Sequence, residues 1–406
     1  MFTQSTTRFS GALVLCGLAL LWPLGAQQEQ QPPVFRSGVE LVMVDVQVID
    51  RSGKPIPGLL ADQFQVTIDG KRRKVISAHL IDAASGKRLA ESSPGPDETP
   101  PGRAFSPGNL YVLAVDQASF RATNAPSAMH AVNEFIKRLN PTDYMALISF
   151  PQPGMVIDPT RERAPLLEAV SRIVGFTNLP QRRQYNFSLA DALDATSKDY
   201  EALKRVVDRN CVPSDMFCSR QVEMEMMETI GALEAQASRS LDGLRGVIQT
   251  VASLEGRKTL VIVSAGLPSG DRTGGRLYMR SHAIQAGNEA AAAGILLYTL
   301  HLNTSFLDAF SPQAPSASQS LMRETGVYAR GLDLFNGAAG GTFMEVNTGP
   351  DFAIERVIRE MSAYYLLGVQ PEETDRDGRV HQIRVRVNHR GSSIRNRPSV
   401  VIPKTG

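Results

Sequence analysis

LYVLAVDQASF, residues 110 to 120, is the stretch whose reading decides the fold. The apolar residues Leu110, Tyr111, Val112, Leu113, Ala114 and Val115 run without interruption into Asp116, and a helical pattern begins a few residues on, near Thr123. An unbroken apolar run of this length, ended by a turn, is the mark of a strand buried on both faces, as in a parallel sheet covered by helices. A carboxylate at the C-terminal end of such a strand stands where open α/β sheets hold their ligands.

The same alternation continues downstream. A helix is expected near 124–139, then the strand YMALISF (144–150) and a helix near 161–174. A long helical region covers about 188–254 and is interrupted by CVPSDMFC (211–218). KTLVIVS (258–264) reads as the next strand, followed by a helix near 278–293 and the strand GILLYTLHL (294–302). Another helix near 316–338, a short strand at 342–346 and a last helix over 351–363 complete the pattern. Strands alternating with helices predict a doubly wound, mainly parallel α/β sheet across 109–363.

On either side the period falls to two. Val42, Val44, Val46 and Val48 share one face of a strand over 39–50, with Asp45 and Gln47 on the other. FQVTIDGKRRKVISAHLI (64–81) reads as a hairpin turning at Asp69-Gly70. Beyond 364, YYLLGVQP, HQIRVRVN and IRNRPSVVIP read as strands, with Ile383, Val385 and Val387 inward and Arg384 and Arg386 outward. The flanks, 33–82 and 364–403, are expected to form one β-sandwich with the α/β domain inserted between them. Residues 83–108, rich in Pro, Gly, Ser and charge, read as an exposed linker.

The chain has 406 residues and a formal net charge of +2, so electrostatics make no case for nucleic acid. Residues 1–26 combine Arg8, the apolar run 11–22 and a small-residue end at Ala26, which reads as a secretory signal. No later segment is apolar enough to span a membrane, so the expected protein is exported, periplasmic or extracellular, with no transmembrane segment after cleavage. Cys211 and Cys218 then remain, and in an oxidising compartment they are expected to pair as a disulfide. Zinc is disfavoured because no other Cys or His falls at ligand spacing nearby.

With these elements in place the chain resembles the von Willebrand factor type A (VWFA)-related proteins of the acidobacterial type. The stretches that carry the resemblance are VDVQVIDRSGKPIPGLLADQFQVTIDG (44–70), AAGGTFMEV (338–346), FAIERVIREMSAYYLLGVQP (352–371) and GRVHQIRVRV (378–387). It covers nearly the whole chain after residue 26. Metal-binding members hold a divalent cation with a D-x-S-x-S loop, a Thr on a second loop and an Asp on a third. Here Asp116 is kept, but Ala118 and Phe120 stand at the two serine positions and Ser119 is one residue out of register. Phe187 falls at the threonine position, flanked by Asn186 and Ser188, and Ala265 falls at the third-loop aspartate. A hard cation needs several oxygen ligands, so the resemblance implies a scaffold whose metal-dependent adhesion site is degenerate. No cofactor is expected, and Mg²⁺ or Mn²⁺ on Asp116 and Ser119 is disfavoured.

The expected role is a non-enzymatic protein-binding module, its partner unidentified. The binding face would comprise Asp116, Gln117, Ser119, Asn186, Ser188, Ser264, Ser269 and Asp271, on loops 117–124, 181–188, 265–277 and 303–320. Three alternatives stay open: a metal-assisted binder using Asp116, Ser119, Asn186 and Ser188; an envelope hydrolase or redox enzyme, for which His301 is the histidine to watch; and a purely structural envelope component. The Lys71–Lys74 run and the C-terminal arginines read as solvated sheet faces. VEMEMMET (222–229) reads as core packing within a helix, with a sticky surface as its alternative.

Overall fold

A computed structural model describes residues 41–85, 87–90, 109–122, 125–151, 154–177, 184–254, 257–272, 275–303, 318–346 and 350–404. The expected signal segment, all of 91–108 and most of loop 303–320 lie outside the described residues.

The central strands are β5 (Leu110–Asp116), β6 (Tyr144–Phe150), β7 (Val156–Thr160), β8 (Lys258–Ser264), β9 (Leu296–Leu302) and β10 (Thr342–Val346). They lie in the order β10-β9-β8-β5-β6-β7. All neighbours are parallel except β6 and β7, which are antiparallel. Alternate residues of each strand serve two cores. Val112, Ala114, Ile148, Leu260 and Ile262 face one side, where α3 (Leu189–Thr196), α4 (Tyr200–Asn210), α5 (Met216–Ser253), α6 (Arg280–Ala292) and α7 (Ser318–Ala339) pack. Tyr111, Leu113, Val115, Leu147 and Val263 face the other side, against α1 (Ala125–Arg138), α2 (Arg163–Ser171) and α8 (Asp351–Glu360). The doubly wound α/β expectation is thereby met.

The flanking strands are β1 (Val42–Ile49), β2 (Phe64–Ile68), β3 (Lys71–Asp82), β4 (Arg88–Ala90), β11 (Ala363–Gln370), β12 (Val380–Val387), β13 (Ser393–Asn396) and β14 (Ser399–Val401). They join into one curled antiparallel sheet in the order β13-β1-β11-β3-β2-β12-β14, with β4 beside β3. Strand β3 belongs to two ladders: Lys71–Arg73 pair with β2, and the segment from Lys74 to Asp82 pairs with β11. One core, with Val44, Val46, Phe64, Val66, Tyr365 and Ile383, serves the strands of both chain ends.

Three expectations need correction here. The linker does not begin at 83, because Arg88–Ala90 add a strand to β3. Gln47 does not face solvent. Its Nε2 donates to the Glu360 carbonyl at 2.9 Å, and Tyr298 Oη donates to its Oε1 at 3.4 Å, so the outer face of β1 is docked on the α/β part. Arg73 is not solvated like its neighbours, since strand alternation turns it inward. There it makes paired hydrogen bonds to Asp375 at 2.6 Å each.

Candidate functional site

In the central sheet the chain winds outward from β5 to β6 and β7, then returns to the other side of β5 at β8. The strand order therefore reverses between β5 and β8, and the carboxyl ends of these two strands flank the crevice where open sheets bind ligands. Asp116 ends one strand and Ser264 the other.

The crevice is filled by the protein itself. Ser264 Oγ donates to Asp116 Oδ2 at 3.0 Å, and Ser240 Oγ, from the middle of α5, donates to Oδ1 at 3.0 Å. Helix α5 can come this close because its residues here are small. A Cβ on Gly243 would lie 2.8 Å from Pro151 Cα, so only glycine lets the helix pass the end of β6. Ser119 Oγ donates to the Asp116 carbonyl at 2.7 Å and accepts from Ala265 N–H at 2.8 Å, stitching the first loop to the third. The space beside the carboxylate, walled by Phe150, Leu244, Ile262, Leu267 and Leu332, has no room for a water molecule.

Asp116 is only 2% exposed. Burial pushes its carboxyl up to about 7, against the lowering effect of the Ser240 and Ser264 hydroxyls and the Ala118 and Ser119 amides. His301, at the C-terminal end of β9, is also buried. Its Nε2 lies 3.2 Å from the Ala265 carbonyl, Nδ1 has no hydrogen-bond partner among the described residues, and burial drives the imidazole down to about 4, so the ring is neutral at ordinary pH.

The residues expected to form one face divide into two groups. Asp116, Gln117, Ser119 and Ser264 come together but are buried, and Ser269 is buried with no exposure at all. Asn186, Ser188 and Asp271 lie apart from the carboxylate contacts. Ser188 caps α3, exchanging hydrogen bonds with Asp191 at 3.0 Å in each direction. Asn186 is held at the end of α4, where its N–H donates to Asn210 Oδ1 at 2.7 Å. Asp271 is exposed. Phe187, between them, is a core residue of the face that carries α3, and Ala118, Phe120 and Ala265 are buried too.

Loop 265–277 is not an exposed binding loop over its first half, because residues 265–270 are all buried. Leu267 N–H and Ser269 N–H donate to the Tyr328 and Val327 carbonyls of α7 at 2.9 Å each, and Gly331 N–H donates back to Leu267 O at 3.1 Å. The second half is pinned by ion pairs, Arg272 to Asp194 at 3.1 Å and Arg276 to Glu234 at 2.5 Å. Ser240 was missed from the sequence, since a helical serine 124 positions from Asp116 carries no local signal. Cys211 and Cys218 are joined as a disulfide that ties the end of α4 to the start of α5. Among the described residues, no helix is long and apolar enough to cross a membrane.

The fold and crevice define a doubly wound α/β protein with a buried acid at its topological switch point. No protein-family model and no curated protein matches the sequence. Among solved structures, the chain is similar to the pilus adhesin SpaC from Lactobacillus rhamnosus GG in its open conformation, with 9% identity, TM-score 0.31, and 73% of this chain and 44% of that one covered. It is similar to the human COPII-coat protein Sec24c at 7% identity and TM-score 0.25, over 73% of this chain and 44% of that one. It is also similar to the ArnB paralog VWA2 from Sulfolobus acidocaldarius at 10% identity and TM-score 0.27, covering 90% of this chain and 76% of that one. The chain thus spans under half the length of the first two, and similarity at these scores carries no argument about function.

Proposed function

We propose that this protein is an exported, non-enzymatic binding module on a von Willebrand A-like scaffold that works without a divalent metal. The observation that carries the reading is the state of Asp116. Its two carboxylate oxygens are taken by the Ser240 and Ser264 hydroxyls, in a space too small for water. A hard cation such as Mg²⁺ keeps several waters and needs more oxygen ligands than one carboxylate supplies, so this donor set does not fit it. Ser119 is committed to backbone groups and Ser188 to its helix cap, which leaves neither free to make up the number. The buried side chains of Ala118, Phe120, Phe187 and Ala265 support the same view of the adhesion site as degenerate. In this reading Asp116 is a structural tie between β5, β8 and α5.

Binding then falls to the exposed rim, where Asn186, Asp271 and Arg272 stand on a frame held by the Arg272, Arg276 and Arg323 ion pairs. The neutral His301, facing a carbonyl, supports a non-catalytic assignment, since it has no carboxylate to orient it. The disulfide supports export to an oxidising compartment. The curled sheet, with one core between its ladders, is read as the β-sandwich that carries the module.

Calorimetric titration of the chain lacking residues 1–26 with MgCl₂ and MnCl₂ tests the metal-free assignment. No saturable heat is expected, and a saturable heat lost in Asp116→Ala would overturn it. Crosslinking capture from the native envelope, comparing the wild type with an Asn186→Arg/Asp271→Arg variant, tests the rim. A specific partner should be recovered by the first and depleted with the second, and equal recovery would refute the rim as the contact.

A further inference from the structure

Helix α5 has two different faces in its first turns. Val222, Met226, Ile230 and Leu233 are buried in the core. The opposite face carries Met216, Phe217, Met224 and Met227, which are 85%, 72%, 63% and 45% exposed. The Met-rich run therefore splits, with Met226 in the core and Met224 and Met227 outside. Phe217, Arg220, Met224, Met227 and Gly231 follow one another at spacings of three and four residues, so they form a single stripe about 21 Å long at 1.5 Å per residue. A glycine inside a helix weakens it unless something needs the space. At Gly231 an added Cβ would meet, among the described residues, only Arg276 Nη2 at 4.0 Å, so the position has room for a side chain beside that guanidinium.

We propose that this stripe is a self-association surface on which two copies pack α5 against α5, antiparallel, about a twofold axis at Met224. The pairing that follows is complementary in size and in charge. Phe217 of each copy lies opposite Gly231 of the other, a large side chain over a position without one, where the Arg276 guanidinium stands alongside. Arg220 lies opposite Glu228, and Met224 meets its own symmetry mate. A parallel arrangement would instead set Arg220 on Arg220 and Glu228 on Glu228, which like-charge repulsion opposes. The antiparallel contact is isologous, so it closes at two copies and leaves no free complementary surface. Its small area places it among weak, reversible interfaces. The stripe is flanked by supports of the Asn186–Asp271 rim, since Gln184 N–H donates to Glu225 Oε1 at 2.7 Å and Arg276 pairs with Glu234, but every residue of the stripe belongs to α5 and the proposal stands whether or not the rim binds a partner.

Sedimentation equilibrium of the chain lacking residues 1–26, loaded up to about 100 µM, tests this, since weak interfaces fall in the micromolar range. A monomer–dimer equilibrium is expected. Arg220→Glu and Glu228→Arg should each weaken it by about 10-fold or more, because each removes two symmetric charge pairs. The double exchange Arg220→Glu/Glu228→Arg should restore the wild-type constant to within about 3-fold. Gly231→Gln should weaken the dimer while raising the thermal midpoint of the monomer, which separates loss of the interface from loss of the fold. A chain that stays monomeric throughout overturns the proposal, and so does a dimer indifferent to the single reversals or not restored by the double exchange.

Discussion

Replacing Asp116 by Asn should make the protein more stable at alkaline pH, against the usual expectation for a residue at a presumed site. The substitution keeps the shape and an acceptor for one serine hydroxyl, and the other hydroxyl can rotate to accept from the new amide. The magnitude follows from the raised carboxyl. A shift from 3.8 to about 7 corresponds to roughly 4 kcal/mol at about 1.4 kcal/mol per unit, undiminished by solvent because the group is buried. The folded state holds the proton up to about pH 7, whereas the unfolded chain releases it near 3.8. The stabilisation is therefore complete below the unfolded value and is lost as pH rises through about 7. Urea unfolding of both proteins between about pH 5 and pH 9 reads this directly, since other titrating groups cancel in the difference. The advantage of Asp116→Asn should grow by roughly 2.7 kcal/mol over that range, the part of the shift that lies above pH 5. A difference that stays flat, or one that favours the wild type more strongly as pH rises, would refute the account of Asp116 as a buried acid without a compensating cation.

Other perturbations probe the surrounding frame. His381 has both ring nitrogens on carboxylates, Nδ1 at 2.8 Å from Asp69 and Nε2 at 3.0 Å from Asp377, and the Asp69 hydrogen bond leads in raising its pKa. Its stabilising charge is present below the ordinary histidine range and lost as pH rises through the raised value. Stability should thus fall on passing from acid to alkaline pH in the wild type but not, by this route, in His381→Gln, with unfolding curves as the measure. Gly331→Ala would place a Cβ 2.3 Å from the Leu267 carbonyl, and the resulting shift of loop against helix should cost roughly 1–3 kcal/mol in urea unfolding. Replacing both Cys211 and Cys218 by Ser should lower stability by about 2.5 kcal/mol, as chain entropy predicts for so short a loop, read as the drop in unfolding free energy under non-reducing conditions.

Much of the scaffold was legible because burial on both faces leaves an unmistakable mark. LYVLAVD, KTLVIVS and TFMEV were each placed as strands at their observed bounds. Strand β7 was not, since VIDPT is a polar edge strand with Pro159, held by its backbone and only partly by its side chains. The first half of loop 265–277 reads as exposed because it is rich in Gly and Ser, yet the Leu267 and Ser269 amides donate to α7 carbonyls, a partnership between backbones that composition does not reveal. At the site, Asp116 and Ser264 were visible as strand ends. Ser240 was not, because its position depends on how closely a long helix crosses the sheet, which Gly243 decides through packing. Arg73 was misjudged for a simpler reason: a charged run suggests solvent, and only strand alternation shows which member turns inward.

The curled sheet also has a consequence for the order of assembly. Strand β11 lies between β1 and β3, which do not pair with each other, so the first strands of the chain have no central neighbour until residues 363–370 have been made. At about 5–20 residues per second, the wait from Asp82 to Ala363 is roughly 15–55 s. Over that interval the Val42–Val48 face and the outer edge of the β2–β3 hairpin are uncovered, an open template for strangers. Strand β11 is the keystone whose delivery joins β1 to the β2–β3 hairpin.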